Sequence, residues 1–387
     1  MKKIIIFPAV LIILIILFFS AGPFIFESSL NKIQTAQIKQ PSEKAKALVN
    51  KIFIADLHSD SLMWNRDLLI KSSRGHVDVT RLIEGNVGLQ TFAIVSQVPV
   101  TMNNYRNGSD YDIITVFEIA QLWPLKTWFS NKERALYQAE KLYKFSKQSN
   151  GKLMVITSIS TLNAYLYLRK NNQHITSGLL AIEGAMVLEG DLNNIDVLYN
   201  AGFRMMSPTH FFDTFVSGSA HGIEKGSLTE KGREMIKIMN RKKMIIDLAH
   251  ASPKAIDDIL KITTRPVIVS HTGVKGICNN IRNISDAHVD GVAKTGGIIG
   301  IGYFPFAMCG DGITNIVRSI RYTVKRAGIK HVALGSDFDG AVPVPFDTSS
   351  MTVLADALIK DGFTDEEISL IMGGNVLRFL MENLPEK

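Results

Sequence analysis

The chain has 387 residues, 46% hydrophobic and 20% charged, which suits one large α/β domain or two average ones and excludes a disordered chain. Its net charge of +7 and pI near 9.2 would suit a nucleic-acid binder, but no Lys/Arg run with interleaved aromatics appears. The charge therefore reads as solubility plus attraction to an anionic membrane surface.

Met1-Lys2-Lys3 is a positive start, and residues 4–26 that follow carry no charge and are mostly Ile, Leu and Phe. Such a run of roughly 23 residues exceeds the ~20 needed to span a bilayer. Because the positive residues precede it, the remainder of the chain is expected to cross to the periplasmic or extracellular side. A cleaved signal peptide is the rival, but its apolar stretch is usually about 7–15 residues and ends in a small-x-small site. Ser20-Ala21-Gly22 is a poor site followed by more apolar residues, and no lipobox-like Cys follows. The reading is an uncleaved transmembrane anchor over 1–26, a polar linker over 27–47 and one domain over 48–387.

From about Leu48 short apolar strands alternate with helical stretches, the pattern of a parallel α/β fold. Strands are expected at 52–57, 88–95, 179–182, 203–207, 244–248, 266–270, 297–302 and 331–335, with a ninth, accessory one at 153–157. Helices are expected at 112–146 (broken near Trp123-Pro124), 193–201, 229–241, 253–260, 285–294, 314–327 and 364–381. Eight parallel strands with intervening helices predict a (β/α)8 TIM-like barrel, whose active sites lie at the carboxyl ends of the strands. Two cysteines, Cys278 and Cys309, exclude a disulfide framework, and their spacing leaves open whether they pair.

Polar residues punctuate these strands. The first runs into His58 and Asp60, the third into Glu183, the fourth into His210, the fifth into Asp247 and His250, the sixth into His271, and the eighth into Asp337 and Asp339. Four of the nine histidines thus sit just after apolar strands, and convergence on one barrel face points to a catalytic metal centre. His58 and Asp60, two apart on an extended segment, point the same way and can hold one ion. His250 and His271, from adjacent strands, can share another. Glu183 can bridge the two ions at about 3.5–4 Å, and a water between them would be deprotonated near neutral pH and serve as nucleophile. Asp337 then fits the acid/base that moves the proton to the leaving group. The ordinary alternatives are Glu183 as a cap or salt bridge and Asp337 as a turn residue before Gly340. Asp56 and Asp247 read as supporting residues one layer below the ligands.

Collectively the stretches Asp56-Leu57-His58-Ser59-Asp60, Gly85-Asn86-Val87-Gly88-Leu89-Gln90, Ile182-Glu183-Gly184, Met206-Ser207-Pro208-Thr209-His210, Ile246-Asp247-Leu248-Ala249-His250-Ala251-Ser252, Pro266-Val267-Ile268-Val269-Ser270-His271, Arg282-Asn283 and Ser336-Asp337-Phe338-Asp339-Gly340 resemble the motifs of membrane dipeptidases. These are renal dipeptidase-like enzymes, peptidase family M19, within the amidohydrolase superfamily. The resemblance covers residues 52–380. It implies a binuclear zinc barrel that hydrolyses dipeptides and tolerates a D residue on the carboxyl side. It makes His58 and Asp60 ligands of one zinc, His250 and His271 ligands of the other, and Glu183 their bridge. It makes His210 the residue that polarises the scissile carbonyl, Arg282 the clamp on the substrate carboxylate, and Asp337 the acid/base. It also suggests a homodimer.

The chain departs from the family at Ser59, where Asn is usual, and at Gly184-Ala185, where Gly-Gly is usual. It ends in Leu384-Pro385-Glu386-Lys387 without the apolar tail of lipid-anchored mammalian members. The stretch Phe211-Phe212-Asp213-Thr214-Phe215-Val216 is apolar where many relatives are polar, and it would border the pocket. The expected activity is dipeptide hydrolysis. The alternative is another amidohydrolase-type reaction on the same centre, such as lactam, deaminase or phosphotriester hydrolysis. A barrel that has lost its ions is the non-enzymatic reading, and the five ligand residues speak against it.

Overall fold

The computed structural model describes residues 10, 14, 16–34, 40–101, 103–108 and 112–387. Part of the expected transmembrane run, residues 1–9, 11–13 and 15, lies outside these, and among the described residues no helix is long and apolar enough to cross a membrane. The nine strands fall where the sequence places them: β1 (Ile54–Ser59), β2 (Val87–Val95), β3 (Leu153–Ile156), β4 (Thr176–Glu183), β5 (Phe203–Met206), β6 (Ile245–Ile246), β7 (Ile268–Thr272), β8 (Ile298–Ile301) and β9 (Val332–Leu334). All paired strands are parallel, in the order β6-β5-β4-β2-β1-β9-β8-β7, and β3 pairs only with β4 as an accessory strand.

The sheet curls until its ends meet. Asp247, next to β6, forms a parallel bridge with Ile268 of β7, and the Leu248 N–H donates to the Ile268 carbonyl at 2.8 Å. This is consistent with the expected (β/α)8 architecture. It also explains why the strands read as continuous apolar runs: covered on both faces, all residues of β2 and of β4 are buried.

Helices fill the connections. Ser130, Thr229, Ser252, Ser285 and Thr364 each accept a backbone N–H at a helix start. The helix expected at 364–381 is interrupted. Asp365–Ser369 gives way to a wide turn at Leu370–Gly374 before Asn375–Asn383 resumes. A Cβ on Gly373 would lie 2.2 Å from the Phe53 carbonyl oxygen, so a glycine is what lets this turn press against the start of β1.

Residues 27–47, read as a linker, are partly built into the domain. The helix Gly22–Leu30 delivers Glu27 into a buried ion cluster with Arg66 and Arg74. Ile33 bridges Val344, the Asn31 Oδ1 accepts the Ala341 N–H at 2.9 Å, and a second helix, Glu43–Val49, packs on the helix Met351–Lys360. Polar residues there face partners brought from far along the chain, which local composition does not reveal.

Candidate metal centre

Each expected ligand sits at a strand end. His58 is in the last turn of β1, Glu183 closes β4, and His271 is in β7. His210, His250 and Asp337 follow β5, β6 and β9 within a few residues. The geometry of the first pair differs from expectation. The strand stops at Ser59, and Asp60 leaves extended geometry (φ −100°, ψ 27°) to begin the turn Ser61–Met63. Even so, its Oδ1 lies 3.4 Å from His58 Nε2.

Local backbone makes the convergence possible. Gly184 adopts φ +97°, and a Cβ there would lie 3.0 Å from the His210 backbone nitrogen, so the chain can turn between Glu183 and His210 only with glycine. His250 (φ 63°) and Asp337 (φ 64°) are held in the left-handed region, a strained conformation that concentrates at functional sites.

Glu183 is the hub. Its Oε1 lies 2.8 Å from His250 Nε2, 3.3 Å from His271 Nε2 and 3.8 Å from His58 Nε2, and its Oε2 lies 3.4 Å from His210 Nε2. His58 Nε2 is also 3.8 Å from Asp337 Oδ1. Three overlapping groups of side chains that could hold a metal ion result: His58, Glu183 and His271; Glu183, His210 and His250; and His58, Asp60 and Asp337.

The chemistry of this donor set fits divalent cations. His58 Nε2, Asp60 Oδ1 and Glu183 Oε1 are buried without a hydrogen-bond partner, and His250 Nε2 and His271 Nε2 face each other at 3.0 Å. Burial, reinforced by surrounding positive groups, holds His210, His250 and His271 well below the usual histidine range, so they are neutral and offer lone pairs. Burial also raises Asp60 and Glu183 well above the usual carboxylate range, with Asp339 adding to the effect on Asp60. It pushes Asp337 up to about 7 against the opposing pull of His58. Neutral imidazoles around carboxylates that cannot comfortably hold charge form an incomplete set, which a cation would complete.

Below the ligands lie the supports read from the sequence. Asp56 Oδ1 accepts from the His58 N–H (3.1 Å), Gln90 Nε2 (3.0 Å) and Ser336 Oγ (2.9 Å), tying β1 to β2 and to the segment carrying Asp337. Asp247 Oδ1 accepts from Ser270 N–H at 2.8 Å and Ala249 N–H at 3.0 Å, which fixes the approaches to His271 and His250. Ser270 Oγ meets His271 Nδ1 at 2.8 Å. Asp339 belongs to none of the three groups and pairs with Arg66.

Arg282 is buried, although alone in the sequence it could pass for a surface arginine. Its Nη2 donates to the His271 carbonyl at 2.7 Å and lies 3.3 Å from His250 Nε2. Its neighbour Asn283 accepts the Gly273 N–H and donates to the Cys278 and Ala307 carbonyls, and Cys278 and Cys309 are joined in a disulfide. The Arg282 loop is thereby fastened to the segment after β8.

These residues open on a cavity of about 350 Å³. One wall carries Asp60, Glu183, His210, His250, His271, Arg282 and Asp337. The other is apolar, with Phe26, Leu30, Met63, Trp64, Val98, Ile114, Phe117 and Phe211. Sequence reasoning missed two contributions. His221 lines the cavity with Nδ1 2.6 Å from the Asn104 carbonyl oxygen, and burial holds it near pKa 3. It lies in a loop rather than at a strand end, so no periodic signal marks it. Phe26 and Leu30 lie in stretches read as anchor and linker.

A model of the membrane dipeptidase family, peptidase family M19, matches residues 42–385. A dipeptidase of Claviceps purpurea is 27% identical over 324 residues, spanning 81% of this chain and 70% of that protein. An uncharacterized dipeptidase of Schizosaccharomyces pombe is 26% identical over 363 residues, 87% of this chain and 82% of the other. Among solved structures, a metallo peptidase from Rhodobacter sphaeroides liganded with a phosphinate mimic of L-Ala-D-Ala superposes with TM-score 0.70 at 22% identity, covering 86% of this chain and 99% of that one. The probable dipeptidase PvdM from Pseudomonas aeruginosa gives TM-score 0.75 at 18% identity, covering 88% and 98%. These two share the fold.

Proposed function

We infer the reaction from the premise that the family match establishes: the chain belongs to the membrane dipeptidase family, peptidase family M19, and is a metallo-dipeptidase, a hydrolase of peptide bonds. The finer reading is hydrolysis of dipeptides at a binuclear zinc centre. One observation carries it: a single buried carboxylate, Glu183, lies within 4 Å of four imidazoles from four strand ends. In this reading His58 and Asp60 would hold one ion and His250 and His271 the other, with Glu183 available to both. A zinc pair there would supply Lewis acidity and a water acidic enough to ionise at neutral pH.

The protein's own groups do the rest. Asp337, 3.8 Å from His58 Nε2, accepts the proton of the attacking water and delivers it to the departing amine nitrogen. His210, neutral and buried beside Glu183 Oε2, donates to the carbonyl oxygen as charge builds on it. Arg282 grips the free carboxylate of the substrate with its guanidinium fork, which favours a dipeptide over a longer or amidated chain. The apolar wall excludes bulk water from the reacting centre.

The membrane anchor is part of this proposal. The uncharged run ahead of the docked helix Gly22–Leu30 supports it, as do Phe18 and Phe19, which are exposed on the protein. The Cys278–Cys309 disulfide supports a domain outside the cytosol, where such bonds persist.

The test is a dipeptide panel assayed with the full chain before chelation, after it, and after zinc is restored. Dipeptides should be cleaved, N-capped and carboxyl-amidated analogues spared, and activity should vanish and return with the metal. Glu183→Gln should lose bound metal and activity together. Full activity in the chelated enzyme, or in Glu183→Gln, would overturn the reading.

A further inference from the structure

We propose that the helix Gly22–Leu30, which precedes the region the family shares, is the wall of a subsite selecting dipeptides with a large apolar amino-terminal residue. The inference rests on the dipeptidase reading and deepens it. Phe26 and Leu30 are four apart on this helix, so they share one face, and both line the cavity that holds Glu183. They complete an apolar cluster with Met63, Trp64, Ile114 and Phe117, in which the Phe26 and Phe117 rings lie 4.3 Å apart.

The substrate's orientation follows from where the guanidinium and the apolar cluster border the cavity. Arg282 reaches in from the loop after β7, beside His250 and His271. The apolar cluster begins at Met63, just past Asp60 on the β1 side. A dipeptide with its carboxylate at Arg282 and its carbonyl at the ligand cluster directs the opposite side chain, that of the amino-terminal residue, into the apolar cluster.

The wall is fixed in place. Glu27, on the same helix, is buried and pairs with both Arg66 and Arg74. Arg66 also pairs with Asp339, whose Oδ2 accepts from Ser61 Oγ at 2.6 Å, next to the ligand Asp60. Below the helix, the Gln34 N–H donates to the Val344 carbonyl and the Val344 N–H to the Lys32 carbonyl. These contacts hold the helix against the barrel as a built surface.

The experiment measures kcat/KM of the full-length enzyme for dipeptides with one carboxyl-terminal residue and Gly, Ala, Leu or Phe at the amino terminus. The parent should favour Leu and Phe. Phe26→Ala combined with Leu30→Ala should lower the Phe-to-Gly ratio about tenfold or more, within the range an apolar pocket discriminates. Phe26→Trp should move the preference toward Ala. Ile25→Ala, on the exposed side of the same helix, should leave the ratio unchanged. Binding of phosphinate dipeptide mimics to the parent, by calorimetry, gives a readout that needs no variant to fold: a Phe side chain at the amino-terminal position should bind tighter than a Gly one. Equal affinity for the two mimics, or an unchanged ratio in the double variant, overturns the subsite while leaving the dipeptidase reading standing. A parent that cleaves no dipeptide overturns both.

Discussion

The two walls of the cavity are made in different ways. The polar wall is hung on the barrel: His58, Glu183, His210, His250, His271 and Asp337 all lie in or just beyond β1, β4, β5, β6, β7 and β9. The apolar wall comes mostly from pieces that pair with no barrel strand, such as Gly22–Leu30, Ser61–Met63 and Ile114–Ala120, joined by Val95 at the end of β2. The scaffold thus fixes the atoms that react, while the segments laid over it shape what reaches them. The two halves meet at Arg66, and that division can be attacked from either side.

The largest effect is expected on the polar side. Asp337→Asn should lower kcat/KM by about 10²–10⁴-fold, the usual weight of an acid/base group, with metal content retained. If metal is lost along with activity, Asp337 is a ligand rather than a proton carrier. Next comes the joint between the walls. Arg66→Ala leaves the buried carboxylates of Glu27 and Asp339 without their shared cation and should cost about 3–5 kcal/mol in denaturant unfolding. A loss within experimental error would mean that the apolar wall is held by something else. Asp56→Asn should weaken metal binding about 10–100-fold in a chelator competition, since it orients β1 from beneath. An unaltered affinity would make Asp56 purely a fold residue.

The smallest effect concerns Lys141, whose ammonium donates to the Leu62 and Trp64 carbonyls under the apolar wall. Burial lowers it to about 7. Between that value and the ordinary lysine range the unfolded chain binds the extra proton, so stability rises with pH. The contribution is complete above about 10.4 and is gone once pH falls through about 7, with a slope of at most about 1.4 kcal/mol per pH unit. Lys141→Met should flatten that rise between pH 7 and 10, and an identical slope would show that Lys141 keeps its charge.

The same division governs what could be read in the amino-acid sequence. A His or carboxylate that ends a buried apolar run breaks a pattern, and every proposed ligand did so. Asp60 was legible as a candidate ligand but not in its geometry, because it opens a turn in which Ser61 reaches Asp339 far along the chain. Glu27 looked like an ordinary linker acid, since Arg74 stands 47 residues away in sequence. His221 ends no strand, and the joining of Cys278 to Cys309 depends on where two loops come to rest. The interruption at Gly373 reflects pressure from Phe53, to which helical periodicity is blind.

The docking of Gly22–Leu30 bears on how the enzyme is handled at the bench. Trimming the greasy leader back to residue 45 for a soluble preparation would strip Glu27 from Arg66 and Arg74 and breach one side of the reaction vessel. The proposed ligands all lie beyond that cut, yet the measured appetite of what remains would belong to a different, more open container.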